Sequence, residues 1–201
     1  MAVEAVFLDV GETLVDELRY WGELARLAGV ETQSLMAALG VTIERGEEHT
    51  SLWEHAGIER PEASSGLTYD VGDLYPDALP CLAALRAAGY RVGLAGNQNA
   101  ALEEWTRASL PADVYGSSAS WGVRKPDRRF FERVVQEAGA DASRVAYVGD
   151  RADNDVRPAL ASGLVAVHLR RGPWGRLQST PEGATSISSL TELPAALASV
   201  V

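Results

Sequence analysis

Apolar segments of this chain stop on carboxylates at two places. The first is Asp9, which ends Val6-Phe7-Leu8 and is followed by Gly11, Glu12 and Thr13. The second is the run Gly149-Asp150-Arg151-Ala152-Asp153-Asn154-Asp155, dense in acids and amides. Acids packed this tightly repel one another unless a cation shares them, and an all-oxygen set suits a hard divalent ion. Between the two lie Gly96-Asn97 and Lys125. A lysine can neutralise an anion, an amide can orient it, and glycine-rich turns offer backbone N–H groups to it. Each residue alone has an ordinary reading. Asp9 could cap a helix or face solvent, 149–155 could be a capping or calcium-like loop, Asn97 could cap the next helix, and Lys125 could sit on the surface.

The flanking elements decide whether these groups meet. Val3–Val10 reads as a buried strand. Glu17 to about His55 shows three helical stripes, before Gly29, Gly46 and Gly57. Residues 57–73 are rich in Gly, Pro, Ser and Asp and read as a linker. The rhythm then alternates: helix 77–90, strand 91–97, helix 99–110, strand and loop 112–119, helix 126–140 with Asp127 as its cap, strand 144–150, helix 154–163, strand 164–170, and a last helix 188–201. Such alternation predicts βαβ units and a mostly parallel sheet covered on both faces. The helical stretch after the first strand breaks it and reads as an insertion. In a doubly wound sheet, ligands sit at the carboxyl ends of the strands, so the four polar stretches would share one rim.

In this order, Asp9-Val10-Gly11-Glu12-Thr13, Gly96-Asn97, Lys125-Pro126 and Gly149-Asp150 through Asp155 resemble the motifs of the haloacid dehalogenase superfamily, mostly Mg²⁺-dependent phosphatases. The resemblance covers residues 3–13 and roughly 76–170. It implies an α/β fold: a doubly wound, mostly parallel, Rossmann-like core (1–15 and 76–201) with a small α-helical cap (16–75) that closes over the rim and governs substrate choice. It implies Asp9 as the nucleophile forming an aspartyl-phosphate, Asn97 placing the phosphoryl group, and Lys125 neutralising it. Mg²⁺ would be held by Asp9, the Gly11 carbonyl, Asp150 and Asp155, with Asp153 a further candidate for ordering the metal's water. The chemistry is coherent: a cation shared by Asp9 and phosphate removes their repulsion, and amides at Gly11 and Glu12 could hold the equatorial oxygens.

Two positions depart from the pattern. Most phosphatases of the family carry a second Asp two residues after the nucleophile, as acid and base; here it is Gly11. A Ser or Thr usually precedes the equivalent of Asn97; here it is Gly96. Loss of general acid–base catalysis commonly costs about 10²–10⁴-fold in rate. Glu12 is displaced by one residue as a substitute, and Glu23, Glu47, Glu48 and Glu54 of the insertion are further candidates. Gly11→Asp is expected to raise activity by restoring the acid.

The expected function is therefore a Mg²⁺-dependent hydrolase of a small phosphorylated metabolite, slowed by Gly11. The alternatives are a non-catalytic binder of a phosphorylated ligand or partner and, further off, a 2-haloacid dehalogenase, with Arg19 and Arg26 considered for a halide pocket. A net charge of −10 disfavours nucleic acid and anionic membranes as partners. No apolar run reaches the roughly 18 residues of a membrane span. The N-terminus lacks a basic segment, and Cys81, the single cysteine, fits a reducing cytoplasm. Cys81 is expected in the core, His49 and His55 on the surface, and His168 at a strand end. Trp21, Trp53 and Trp105 read as packing residues, with Trp21 or Trp53 able to face a closed site. Arg170, Arg171 and Arg176 form the one local cationic cluster, a solvated loop anchored by Trp174 or an aid to anion binding.

Overall fold

Strict alternation along β1 (Ala5–Leu8) divides the core into two layers. Val6 and Leu8 face one apolar cluster, with Cys81, Leu82 and Leu85. Ala5 and Phe7 face another, with Phe130, Phe131 and Val134. A strand buried on both faces must lie inside a sheet, and β1 pairs in parallel with β2 (Arg91–Gly96) on one side and β4 (Val145–Gly149) on the other. The computed structural model describes residues 2–62 and 66–199. The middle of the expected linker, 63–65, and the last two positions of the expected final helix lie outside the described residues.

In chain order, β1 is followed by α1 (Leu18–Ala28), α2 (Thr32–Arg45) and α3 (Leu52–His55), then α4 (Ala78–Ala87) leads into β2. The alternation continues with α5 (Ala100–Ser109), β3 (Val114–Ser117), the short α6 (Ser118–Trp121), α7 (Arg128–Ala138) and β4. A π-helical turn (Ala152–Val156) enters α8 (Arg157–Ala161). The chain ends with β5 (Val165–Leu169), α9 (Gly172–Leu177), β6 (Thr185–Ile187) and α10 (Leu193–Ala198). The sheet order is β3-β2-β1-β4-β5-β6, with every pair parallel. Gly29, Gly46 and Gly139 end α1, α2 and α7 at φ 70°, 66° and 67°, where a side chain would be strained. Asp127 caps α7, accepting from the Arg129 N–H at 2.9 Å. Among the described residues no helix is long and apolar enough to cross a membrane.

Three elements escaped the sequence reading: α6, α9 and β6. Each is six residues or shorter, too short to show a period. The region 168–177, expected as a loop, holds α9. Trp174 on α9 leaves the main core and joins Leu24, Leu35, Leu39 and Leu52 in the apolar cluster of the helical insertion. The segments leading into and out of the insertion also pair. Val15 bridges Leu74, the Asp16 N–H donates to the Asp73 carbonyl at 2.8 Å, and the Tyr75 N–H to the Leu14 carbonyl at 2.9 Å.

Trp174 is thus an apolar tie between core and insertion. Trp174→Ala is expected to cost about 3–5 kcal/mol in denaturant unfolding. Hydrogen exchange should accelerate more in α1 and α2 than in β1 and β4. Uniform acceleration would contradict the tie.

Candidate active site

The strand order reverses between β1 and β4, so a crevice opens at their carboxyl ends. Asp9 leaves β1 there, with its N–H donating to the Val148 carbonyl at 2.9 Å. Asp150 leaves β4 beside it, and Asp155 returns on the π-helical turn. Carboxylate oxygens from Asp9, Asp150 and Asp155 lie within 4.8 Å of one another. Lys125 completes the group: its Nζ is 2.9 Å from Asp9 Oδ2 and 2.6 Å from Asp155 Oδ1. Far from the surface, Lys125 is only 1% exposed, and its ammonium lies 5.5 Å from the Tyr147 ring centroid.

With all three carboxylates ionised, one ammonium leaves two negative charges unbalanced, and burial works against that state. Asp150 Oδ2 is buried and has no hydrogen-bond partner. Burial pushes the Asp150 carboxyl well above the usual range, with Asp155 and Asp9 adding to it. Asp155 is raised to about 6 by burial, against the pull of Lys125. Burial opposes the charge on Lys125, but Asp155 and Asp9 hold its pKa well above that of a free lysine. A hard divalent cation would balance the two charges and give the orphaned oxygen a partner, so these residues fit Mg²⁺.

Several neighbours exist to hold this group. Asp155 lies so close to Gly149 that a Cβ on that glycine would be 2.7 Å from the Cβ of Asp155. The Arg151 N–H donates to Asp155 Oδ2 at 3.0 Å. His168, buried on β5 as well as near its end, places Nε2 2.9 Å from the Asp150 carbonyl and Nδ1 2.8 Å from Thr180 Oγ1. Asp153, a candidate for the metal's water, turns instead to Arg151 at 2.6 Å and to Gln178 Nε2 at 2.9 Å.

Asn97 braces the lysine. Its Oδ1 accepts from the Lys125 N–H at 2.8 Å, and its Nδ2 donates to the Lys125 carbonyl at 2.9 Å. The cap of α5 is Asn99, which accepts from the Leu102 N–H at 2.9 Å. At Gly96 the missing side chain has a visible consequence: Asp9 Oδ1 fills the place where a Cβ would stand. The first loop turns on Val10, whose carbonyl accepts from the N–H groups of Thr13, Leu14 and Val15. Glu12 sits in the left-handed region at φ 50°. Its carboxylate is engaged by the Tyr75 hydroxyl at 2.7 Å and the Glu17 N–H at 3.4 Å.

Sequence reading passed over Glu17. A Cβ on Gly11 would come within 2.8 Å of the Glu17 carboxyl carbon and 3.2 Å of the Tyr69 hydroxyl oxygen. The Tyr69 hydroxyl donates to Glu17 Oε1. Burial, then Glu12, pushes the Glu17 carboxyl up to about 8. One signal was available in the sequence: a glutamate stands where the first helical stripe begins, a place where Ser, Thr, Asp or Asn is usual; in the structure Glu17 makes no capping bond.

Rim and insertion together line an open cavity of about 650 Å³, with Asp9, Lys125 and Asp150 from the rim and Trp21 and Trp53 from the insertion. His49, expected on the surface, is half-buried and faces this cavity. Burial, then Arg151, Arg124 and Arg60, lowers its pKa to about 4. His55 pairs with Glu47 at 2.6 Å. Trp105 packs edge-on against Tyr69, with centroids 5.4 Å apart. Arg171 is a clamp: it donates to the Thr13 carbonyl at 3.0 Å, pairs with Asp77 and lies over the Tyr75 ring. Arg19 and Arg26 pair with Asp73 and Glu23.

Two outcomes follow from this geometry. A Mg²⁺ ion taken up by this cluster should raise the melting temperature at millimolar concentration, and Gly149→Ala, which drives Asp155 off Lys125, should abolish that rise; an unchanged rise would mean that Asp155 is not one of the ion's ligands. Asp155 has a folded-state pKa above its unfolded value of 3.8, so its contribution to metal-free stability is lost as pH rises through about 6. Mg²⁺ must displace that proton, so its stabilisation should be larger at about pH 8 than at about pH 5, read by calorimetry. The reverse dependence would contradict a three-carboxylate site.

Known proteins resemble this chain in sequence and fold. Residues 3–163 match the family model for haloacid dehalogenase-like hydrolases. A glyceraldehyde 3-phosphate phosphatase of Methanopyrus kandleri is 32% identical over 106 residues, 50% of this chain and 45% of the relative. The chain therefore spans about half the length of that relative. A HAD phosphatase from Thermococcus onnurineus superposes with a TM-score of 0.61 at 19% identity, covering 97% of this chain and 98% of the other. The L-2-haloacid dehalogenase from Xanthobacter autotrophicus gives 0.66 at 18% identity, covering 99% and 100%. At these identities the two structures speak for the fold alone. The family match extends from the first strand through the loop that carries Asp150 and Asp155, and on that ground the chain belongs to the haloacid dehalogenase-like hydrolases.

Proposed function

We propose that this protein is a Mg²⁺-dependent phosphatase acting on a small phosphorylated molecule held between the sheet rim and the helical insertion, which serves as its cap (16–75). The observation that carries this reading is the Asp9–Asp150–Asp155 cluster with Lys125 bonded across it and one Asp150 oxygen unpartnered. The phosphatase name of the Methanopyrus kandleri relative supports it. When bound by Asp9, Asp150 and Asp155, with the Gly11 carbonyl as a further ligand, Mg²⁺ would lower the repulsion between Asp9 and an anionic phosphoryl group.

The residues divide the work. Lys125 holds Asp9 Oδ2, which leaves Oδ1, the oxygen lying over Gly96, to attack phosphorus. The attack forms an aspartyl-phosphate and splits one difficult hydrolysis into two steps. Lys125 also faces the charge that develops on the phosphoryl oxygens. Asn97 acts through Lys125, fixing its main chain so that the ammonium cannot drift. Backbone N–H groups of Gly11 and Glu12 are the donors proposed for the phosphoryl oxygens. The cavity of about 650 Å³ suits a small metabolite, and Trp21 and Trp53 favour a substrate with an apolar or planar part.

A dehalogenase would attack carbon and need no ion, so a three-carboxylate cluster with an orphaned oxygen favours the phosphatase. A panel of phosphate monoesters assayed with Mg²⁺ or with EDTA tests the reading. Phosphate release should require Mg²⁺ and fall to background in Asp9→Asn. Chloride release from 2-chloropropionate that survives EDTA would replace it with the dehalogenase. No turnover, with vanadate still raising the melting temperature, would leave a phospho-ligand binder.

A further inference from the structure

Gly11 deprives the site of an acid and base at the position where one is expected, yet a carboxyl group stands beside it. Glu17 reaches that place from the far end of the loop. A Cβ on Gly11 would come within 2.8 Å of the Glu17 carboxyl carbon, and Glu17 borders the same cavity as Asp9 and Lys125. The side chain that Gly11 lacks and the side chain of Glu17 cannot share this space.

The placement is braced. Tyr69 donates its hydroxyl to Glu17 Oε1. The Tyr69 ring is buried, tilted against Tyr20 at 5.5 Å and edge-on to Trp105 at 5.4 Å, so the hydroxyl is fixed. The Glu17 N–H is 3.4 Å from Glu12 Oε1, and the Glu12 carboxylate is itself held by Tyr75 at 2.7 Å. Glu17 lies on the segment entering the insertion and Tyr69 on the segment leaving it. The two segments pair through Val15 and Leu74, and this hinge carries the carboxyl to the rim.

We propose that Glu17 is the general acid–base of the reaction, replacing the acid missing at position 11. The inference rests on the phosphatase reading. In the first step Asp9 Oδ1 bonds to phosphorus, the bond from phosphorus to the leaving oxygen breaks, and the Glu17 carboxyl gives that oxygen its proton. The alcohol departs. In the second step a water oxygen bonds to phosphorus, the water proton passes to the Glu17 carboxylate, and the bond from phosphorus to Asp9 breaks. Hydrogen phosphate leaves, and both carboxyl groups return to their starting states. The same geometry revises the expectation for Gly11→Asp. That variant alone drives its new side chain into Glu17 and should lose activity.

Glu17→Gln keeps the shape and can still accept from Tyr69, so it tests the proton without emptying the site. With alkyl phosphates its kcat should fall about 10²–10⁴-fold. With p-nitrophenyl phosphate, whose leaving group needs no proton, the first step should proceed, giving a burst of nitrophenol and a phosphorylated enzyme visible in the intact mass. A Glu17→Ala/Gly11→Asp double variant should recover part of the lost rate, since the clash with Glu17 is gone, only the 3.2 Å approach of the Tyr69 hydroxyl remains, and a carboxyl is restored. Equal losses for both leaving groups, with no burst and no rescue, would reduce Glu17 to a packing role while wild-type turnover and an inactive Asp9→Asn kept the phosphatase reading intact. No phosphate release from the wild-type protein with any ester would overturn both.

Discussion

Three carboxylates within 4.8 Å of one another, Asp150 and Asp155 buried and Asp9 at the cavity wall, form the constraint on which the rest of the structure depends. Left alone, they would repel and draw protons. The chain reduces the conflict with one buried lysine and leaves a deficit of two charges, which is what a divalent ion supplies. Much of the surrounding construction serves this arrangement. Parallel pairing of β1 with β4 delivers Asp9 and Asp150 side by side. Gly149 has no side chain, so Asp155 can fold back against β4. His168 holds the Asp150 main chain and Asn97 holds that of Lys125, each through hydrogen bonds from a neighbouring strand or its end. A charged cluster of this kind contributes little to stability by itself, because desolvation offsets the attraction. The apolar layers on the two faces of the sheet hold it in place.

The helical insertion plays two parts. It lines a cavity at the rim, and its two connecting segments place Glu17 and Tyr69 next to Gly11. A carboxyl group borne on a hinge differs from one borne on the nucleophile's own loop: its position depends on whether the hinge is formed. Under the proposed reading, proton transfer would then be set by the same segments that seat the cap. Trp174 and Arg151 add a second tie. The indole enters the apolar cluster of the insertion, and the guanidinium stacks on it at 3.7 Å while pairing with Asp153 of the acidic loop.

Much of this was legible in the residue order. The alternation of apolar runs with amphipathic stretches predicted the parallel sheet, because strands buried on both faces and helices buried on one leave different periodicities. Asp9 and Asp150 were legible as residues that follow strand ends, Lys125 and Asp155 as members of polar stretches farther along, and the rule that ligands gather at the carboxyl ends of parallel strands put these stretches at one rim. The gaps at Gly11 and Gly96 were equally plain, since a missing side chain is a property of sequence. What fills each gap was not. Short elements such as α6 and β6 were invisible for a related reason: a segment that spans barely one repeat shows no period.

Sequence by itself determined the chemistry available to the rim: acids directly after the first and fourth strands, an amide after the second, and one lysine in the polar stretch before α7. Tertiary structure alone decided the partners. Asn97 turned to the Lys125 main chain, His49 to the cavity, and Asp153 to Arg151. Glu17 came to stand where a side chain on Gly11 would have been. The physical reason is that local patterns encode which face of an element is buried, whereas the contact between Gly11 and Glu17 depends on how a loop, a hinge and the returning Tyr69 segment pack together in three dimensions.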